Sequence, residues 1–174
     1  ARGAIIEALN RGQKIVNYAG HGNINQWRGN ILTNEDADQL VNEQNLSLFI
    51  SMTCLNGYFQ DPALDSLAET LMAARRGGAI AVWSSSGMAQ PLDQARINQQ
   101  LYRLLFSPGL GALRLGEAIA RAKTLETNRD VRTTWVLATS TEDSVRNADR
   151  SIELGLKACT LTNYQKPHIL STLA

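Results

Sequence analysis

Two residues in this chain can combine acid–base and nucleophilic chemistry. His21 sits in Tyr18-Ala19-Gly20-His21-Gly22-Asn23, and Cys54 sits in Ser51-Met52-Thr53-Cys54-Leu55-Asn56-Gly57. The sequence holds two histidines and two cysteines in all, so the choice of partners is narrow. A thiol beside an imidazole is the smallest kit for thiol nucleophilic catalysis. The imidazole removes the thiol proton and later protonates a leaving group. Such a thiol needs access and a lowered pKa, which a histidine neighbour can supply. A free cysteine is also commonly a small buried hydrophobe. The polar, glycine-bearing turn after Cys54 is a poor setting for that role. Gly20 and Gly22 let the backbone turn sharply and approach a ligand closely. An amide N–H beside a catalytic histidine could face an oxyanion.

Each candidate follows a short apolar run. Lys14–Ala19 reads as one strand, Leu46–Met52 as a second and Ala79–Trp83 as a third. Helical patterns separate them. Ala4, Ile5, Ile6 and Leu9 share a face, and Gly12 marks the stop. Thr33-Asn34-Glu35-Asp36 and Ser66-Leu67-Ala68-Glu69 have the form of capping boxes that open helices. The second of these helices is expected to stop near Gly77-Gly78. Residues 93–106 and 112–127 carry amphipathic helical spacing, and Thr133–Leu137 suits a fourth strand. Strands alternating with helices predict βαβ units, right-handed crossovers and a parallel sheet. Sites in open sheets of this kind form beyond the carboxyl ends of the strands. His21 and Cys54 both follow such ends.

Composition closes off several other classes. With 17 basic and 16 acidic residues the chain has a net charge of +1, which argues against a partner held by phosphate contacts such as nucleic acid. No apolar run reaches the length of a membrane span. No signal peptide is visible, and two cysteines make no disulfide framework. No metal-ligand spacing is present, so neither a metal nor a cofactor is expected. Gly20-x-Gly22 lacks the third glycine and the following helix of a dinucleotide fingerprint. Ser84-Ser85-Ser86-Gly87 is not a nucleophile elbow. Cys159 and His168 lie in a tail, 138–174, where the polar stretch Thr139–Ser151 shows no clear periodicity. Residue 1 opens inside a helical pattern, so the chain is expected to be part of a longer parent.

Taken together, four stretches resemble the gingipain-like cysteine peptidases, family C25 of the caspase-like clan. They are Asn17–Gly22 with Trp27 shortly after, Met52–Phe59, Ser66–Glu69, and Gly77–Val82 with Ser84–Gly87. The order of a His-Gly pair, a strand-end cysteine, Gly-Gly-Ala and a serine-rich strand end makes the resemblance specific over residues 1–137. It implies an α/β, caspase-like three-layer sandwich with a mostly parallel sheet, whose N-terminal strands lie outside this fragment. Residues 1–137 would form a partial catalytic domain. Residues 138–174 lose its pattern abruptly, with Val136-Leu137-Ala138-Thr139-Ser140 where the family has a Gly-Asp-Pro turn, and are expected to be foreign to it. The resemblance implies peptide-bond hydrolysis through a thioester, with His21 as base and acid and Cys54 as nucleophile. Backbone N–H groups of Gly22 and Cys54 would hold the oxyanion. Trp83, Ser84, Ser85 and Ser86 would line the substrate channel, and Trp27 stands beside the His21 loop for a pocket role. Partners would be a protein or peptide substrate and the rest of the parent chain, and the place of action extracellular or at the cell surface. Two other readings remain open on the residues alone: a caspase-like scaffold domain without proteolysis, and another Cys-His amidase.

Overall fold

The structure is a computed structural model that describes residues 1–107, 113–125 and 147–161. The chain divides into two compact units, Ala1–Ala95 and Arg96–Ala174.

The first unit is built on a three-stranded parallel sheet in the order β1-β2-β3, formed by Ile15–Ala19, Ser47–Met52 and Ala79–Ser84. Every residue of β2 is buried, which is what a central parallel strand demands of an apolar run. Around the sheet lie α1 (Arg2–Asn10), α2 (Asn34–Asp38) and α3 (Leu67–Ala73). Leu9, Trp27, Leu32, Ala37, Leu40, Phe49, Leu67, Leu71 and Ala79 form one apolar core, with Ile5, Ile6 and Val16 packed on its margin. α3 packs on β3 and on α2.

Local chemistry sets the helix boundaries. Both expected capping boxes form. Thr33 accepts from the Asp36 amide, and Ser66 accepts from the Glu69 amide, while each carboxylate returns to its cap residue. Gly12 adopts a left-handed φ of +85° past the end of α1, as the glycine stop requires. α3 ends at Ala73, earlier than Gly77-Gly78 suggested, because Ala74 is already extended at ψ 130°. Gly78 has φ +97° and leads straight into β3. Buried Asn42 locks that turn, its carbonyl accepting from Gly78 N and its amide donating to Gly78 O.

α4 (Pro91–Phe106) begins two residues before the expected start, with proline in the first turn, where its missing N–H costs nothing. In the second unit, α5 spans 115–125 and α6 is Ala148–Leu161. Leu101, Ala118, Ala122 and Leu154 are buried there. α6 falls within the 138–174 tail, where the sequence shows no clear pattern. Its first turn is polar, and its apolar positions Ile152 and Leu156 stay about half exposed. Thr133–Leu137 lies outside the described residues. No described helix is long and apolar enough to cross a membrane.

Candidate active site

β1 and β2 run parallel with Ile15 beside Leu48 and Ala19 beside Met52, a constant offset of 33 residues. The same offset separates His21 from Cys54. The last pair, Ala19 with Met52, is closed by Gly20 N donating to Met52 O at 3.2 Å. The two residues therefore leave adjacent strands at the same rim of the sheet. His21 is exposed and Cys54 is half-buried.

The His21 loop is pinned on both sides. The carbonyl of His21 accepts from Tyr18 Oη at 2.8 Å and from Arg28 N at 2.8 Å. Tyr18 stacks on Trp27, ring centroids 4.2 Å apart and planes 9° from parallel. His21 lines a hollow of about 210 Å³ with Gly22, Asn23, Gln26, Arg28 and Gly29. On the other loop, Leu55 follows the cysteine at φ +62°, a conformation a leucine rarely adopts, which turns the chain sharply away from the thiol. Sγ of Cys54 lies 3.5 Å from Ala89 N and 3.7 Å from Ala89 O, within the weak reach of a thiol.

The loops also hold each other. A Cβ at Gly22 would lie 2.6 Å from Thr53 Oγ1 and 3.0 Å from Gln26 O, so only glycine lets the His21 loop come so close to the Cys54 loop. Asn56, 1% exposed, donates from Nδ2 to Asn23 O at 2.5 Å and to Gln26 O at 3.3 Å. The first turn of α3 reaches both loops: Leu67 N donates to Ile24 O at 2.8 Å and Ala68 N to Asn56 O at 2.9 Å. Amide donors that a helix start leaves without intrahelical partners thus bind the two site loops.

The strap after β3 closes the third side. Leu55 N donates to Gly87 O and Gly57 N to Ser85 O. Gly57 permits this approach, since a Cβ there would meet Ser84 Oγ at 2.5 Å. Among the described residues the amides of Gly22 and Cys54 donate to no backbone carbonyl, unlike those of Leu55 and Gly57. An open groove of about 560 Å³ runs along β3, lined by Ile80, Val82, Trp83, Ser84 and Ser86 on one wall and by Phe59 and Met72 on another.

The expected substrate residues therefore divide. Trp83, Ser84 and Ser86 line the groove. Ser85 instead faces the Cys54 loop, its carbonyl engaged by Gly57 N and its hydroxyl bonded to Gly87 O. Trp27 is 3% exposed and packed between Tyr18 and Phe49, so its ring supports the His21 loop from within the core rather than walling a pocket. An aromatic after a glycine turn reads alike in both places, and only its packing against Tyr18 and Phe49 separates them. Tyr18, Thr53, Asn56 and Ala89 carried no assigned role in the sequence reading. Asn56, polar between a cysteine and a glycine, was the legible signal among them. No group of three or more His, Cys, Asp or Glu suited to a metal occurs among the described residues.

Residues 1–167 match the description of peptidase family C25. The chain belongs to that family. Over 74 residues, 42% of the chain, it is 35% identical to gingipain R2 and to gingipain R1 of Porphyromonas gingivalis. The chain spans 10% or less of the length of these curated relatives. Its fold is that of the crystal structure of the Arg-specific cysteine proteinase gingipain R, with a TM-score of 0.68 at 23% identity over 74% of this chain and 31% of that one. A complex of the pro- and mature domains of Porphyromonas gingivalis RgpB gives 0.65 at 21% identity, over 74% of this chain and 32% of that one. The α/β caspase-like fold follows from these matches. The family match runs on past residue 137, where the sequence reading ended the domain.

Proposed function

We propose that this C25 chain carries the catalytic core of a cysteine endopeptidase that cleaves peptide bonds through a Cys54–His21 dyad. The observation that carries the proposal is the in-register exit of His21 and Cys54 from β1 and β2, with their loops tied by Asn56 and by the first turn of α3. In this reading the imidazole of His21 takes the Cys54 thiol proton, and the thiolate attacks the scissile carbonyl carbon. The developing oxyanion is met by the amides of Gly22 and Cys54, whose hydrogens are uncommitted to backbone carbonyls. His21 then passes its proton to the leaving amine, which departs and leaves a thioester. Water, deprotonated by His21, hydrolyses the thioester and returns the thiol.

The groove beside β3 suits an extended peptide. A strand edge offers backbone donors and acceptors in sequence, and alternate side chains of a bound segment find separate pockets. Trp83, Ser84 and Ser86 would form its wall. By family alone, the substrate is protein or peptide and the place of action is outside the cell or at its surface.

The test is turnover of a mixed peptide substrate by the intact protein. Cys54→Ala is expected to abolish cleavage, and His21→Ala to reduce it roughly 10²- to 10⁴-fold, the usual share of general acid–base catalysis. Undiminished cleavage by Cys54→Ala overturns the assignment.

A further inference from the structure

Asn56 stands at a point that neither catalysis nor core packing explains. It lies two residues beyond Cys54, and its acceptor Asn23 lies two residues beyond His21, so the pair preserves the 33-residue offset of the β1–β2 ladder. Beyond Ala19–Met52 the β1–β2 register ends: Gly22 pairs with Trp27 within its own loop, and Leu55 turns the Cys54 loop aside at φ +62°. The side chain of Asn56 therefore resumes, beyond the dyad, the bridging that the ladder supplies before it.

Its chemistry is specific to the task. Both of its partners, Asn23 O and Gln26 O, are backbone carbonyls. Two acceptors need one group with two hydrogens, which the amide nitrogen supplies. A hydroxyl carries one, and an ionised carboxylate carries none. The backbone carbonyl of Asn56 is fixed in turn by Ala68 N, so the side chain extends from an anchored base. Thr53, fully buried, fills the space against Gly22 on the other side of the cysteine.

We infer that Asn56 is the positioning residue of the site: it sets the separation of the His21 imidazole from the Cys54 thiol by holding the His21 loop to the Cys54 loop. This rests on the dyad proposed above. It acts through His21 and touches no substrate. A shift of about 1 Å between reacting groups can cost on the order of 100-fold.

The test is a double-mutant cycle on the rate at which iodoacetamide alkylates Cys54 in the intact protein. Four proteins are compared: the unaltered protein, Asn56→Asp, His21→Ala and the double variant. Asn56→Asp keeps the shape but sets a carboxyl against two carbonyls. It is expected to slow alkylation roughly 10- to 100-fold when His21 is present and to add nothing when His21 is absent, since a residue acting through another couples fully to it. Equal slowing in both backgrounds makes Asn56 a merely structural residue and overturns the inference, as does an unchanged rate. If Asn56→Asp fails to fold, Asn56→Ser decides. It retains one donor, and an intermediate slowing confined to the His21 background is required. Should His21→Ala by itself alkylate at the unaltered rate, the dyad fails and the role of Asn56 falls with it, a result distinct from additivity.

Discussion

Cys54 and His21 stand out in the sequence as candidates because so few residues of their types exist and because each follows an apolar run, in a turn that contains glycine. What surrounds them is less legible there. Gly22 illustrates the limit: the sequence gives its flexibility, while the structure gives the reason, a Thr53 hydroxyl 2.6 Å from where a Cβ would stand. Gly22→Ala is therefore expected to push the two loops apart, costing roughly 1–3 kcal/mol of stability as overpacking does. It should also lower kcat/KM by more than that loss of folded protein explains. Chemical denaturation and kinetics on the same preparation check this. Trp27 illustrates the converse. A tryptophan beside a candidate site invites a pocket role, but this one is stacked on Tyr18 inside the core. Nothing in the local sequence distinguishes the two, because the distinction lies in how the ring packs, stacked on Tyr18 and tilted against Phe49, 22 positions away in the chain.

Among the elements, α3 links stability to chemistry. Ser66 caps it, and the first two helical amides hold Ile24 O and Asn56 O. The capping box was readable from Ser66 and Glu69. The tie to the loops was not, because it depends on where the helix start docks. Ser66→Ala is expected to cost about 1 kcal/mol and to lower activity by loosening both loops, measurable by thermal unfolding and by kcat/KM together. Glu69 adds a pH dependence. Its carboxyl is held below the ordinary value of 4.5 chiefly by the backbone N–H of Ser66, then by the Ser66 hydroxyl, against a smaller opposing effect of burial. A group whose folded-state pKa is depressed contributes stability that is full above its unfolded value and is lost as pH falls through its folded value. The stability difference between the unaltered protein and Glu69→Gln should therefore shrink on acidification below about 4.5. A difference independent of pH from 7 to 3 would contradict the cap's ionic character. β2 behaves more simply. Phe49 is fully buried at the centre of the sheet, and Phe49→Ala is expected to cost about 3–5 kcal/mol in denaturant unfolding.

The molecule as a whole places its candidate chemistry where open parallel sheets place theirs, beyond the strands' carboxyl ends. Alternating apolar runs and capping boxes made that architecture readable, and the parallel three-stranded sheet agrees with it. The helix at Ala148–Leu161 escaped because its first turn is polar and continues the polar stretch that precedes it. Family membership and fold rest on matches across most of the chain, while the proposed peptidase chemistry rests on one thiol and one imidazole. The most direct test is mass-spectrometric mapping of the intact protein after treatment with a peptide-based thiol electrophile. The account predicts one adduct, on Cys54, that forms far more slowly in His21→Ala and not at all in Cys54→Ala. Strong labelling that persists in Cys54→Ala would contradict it.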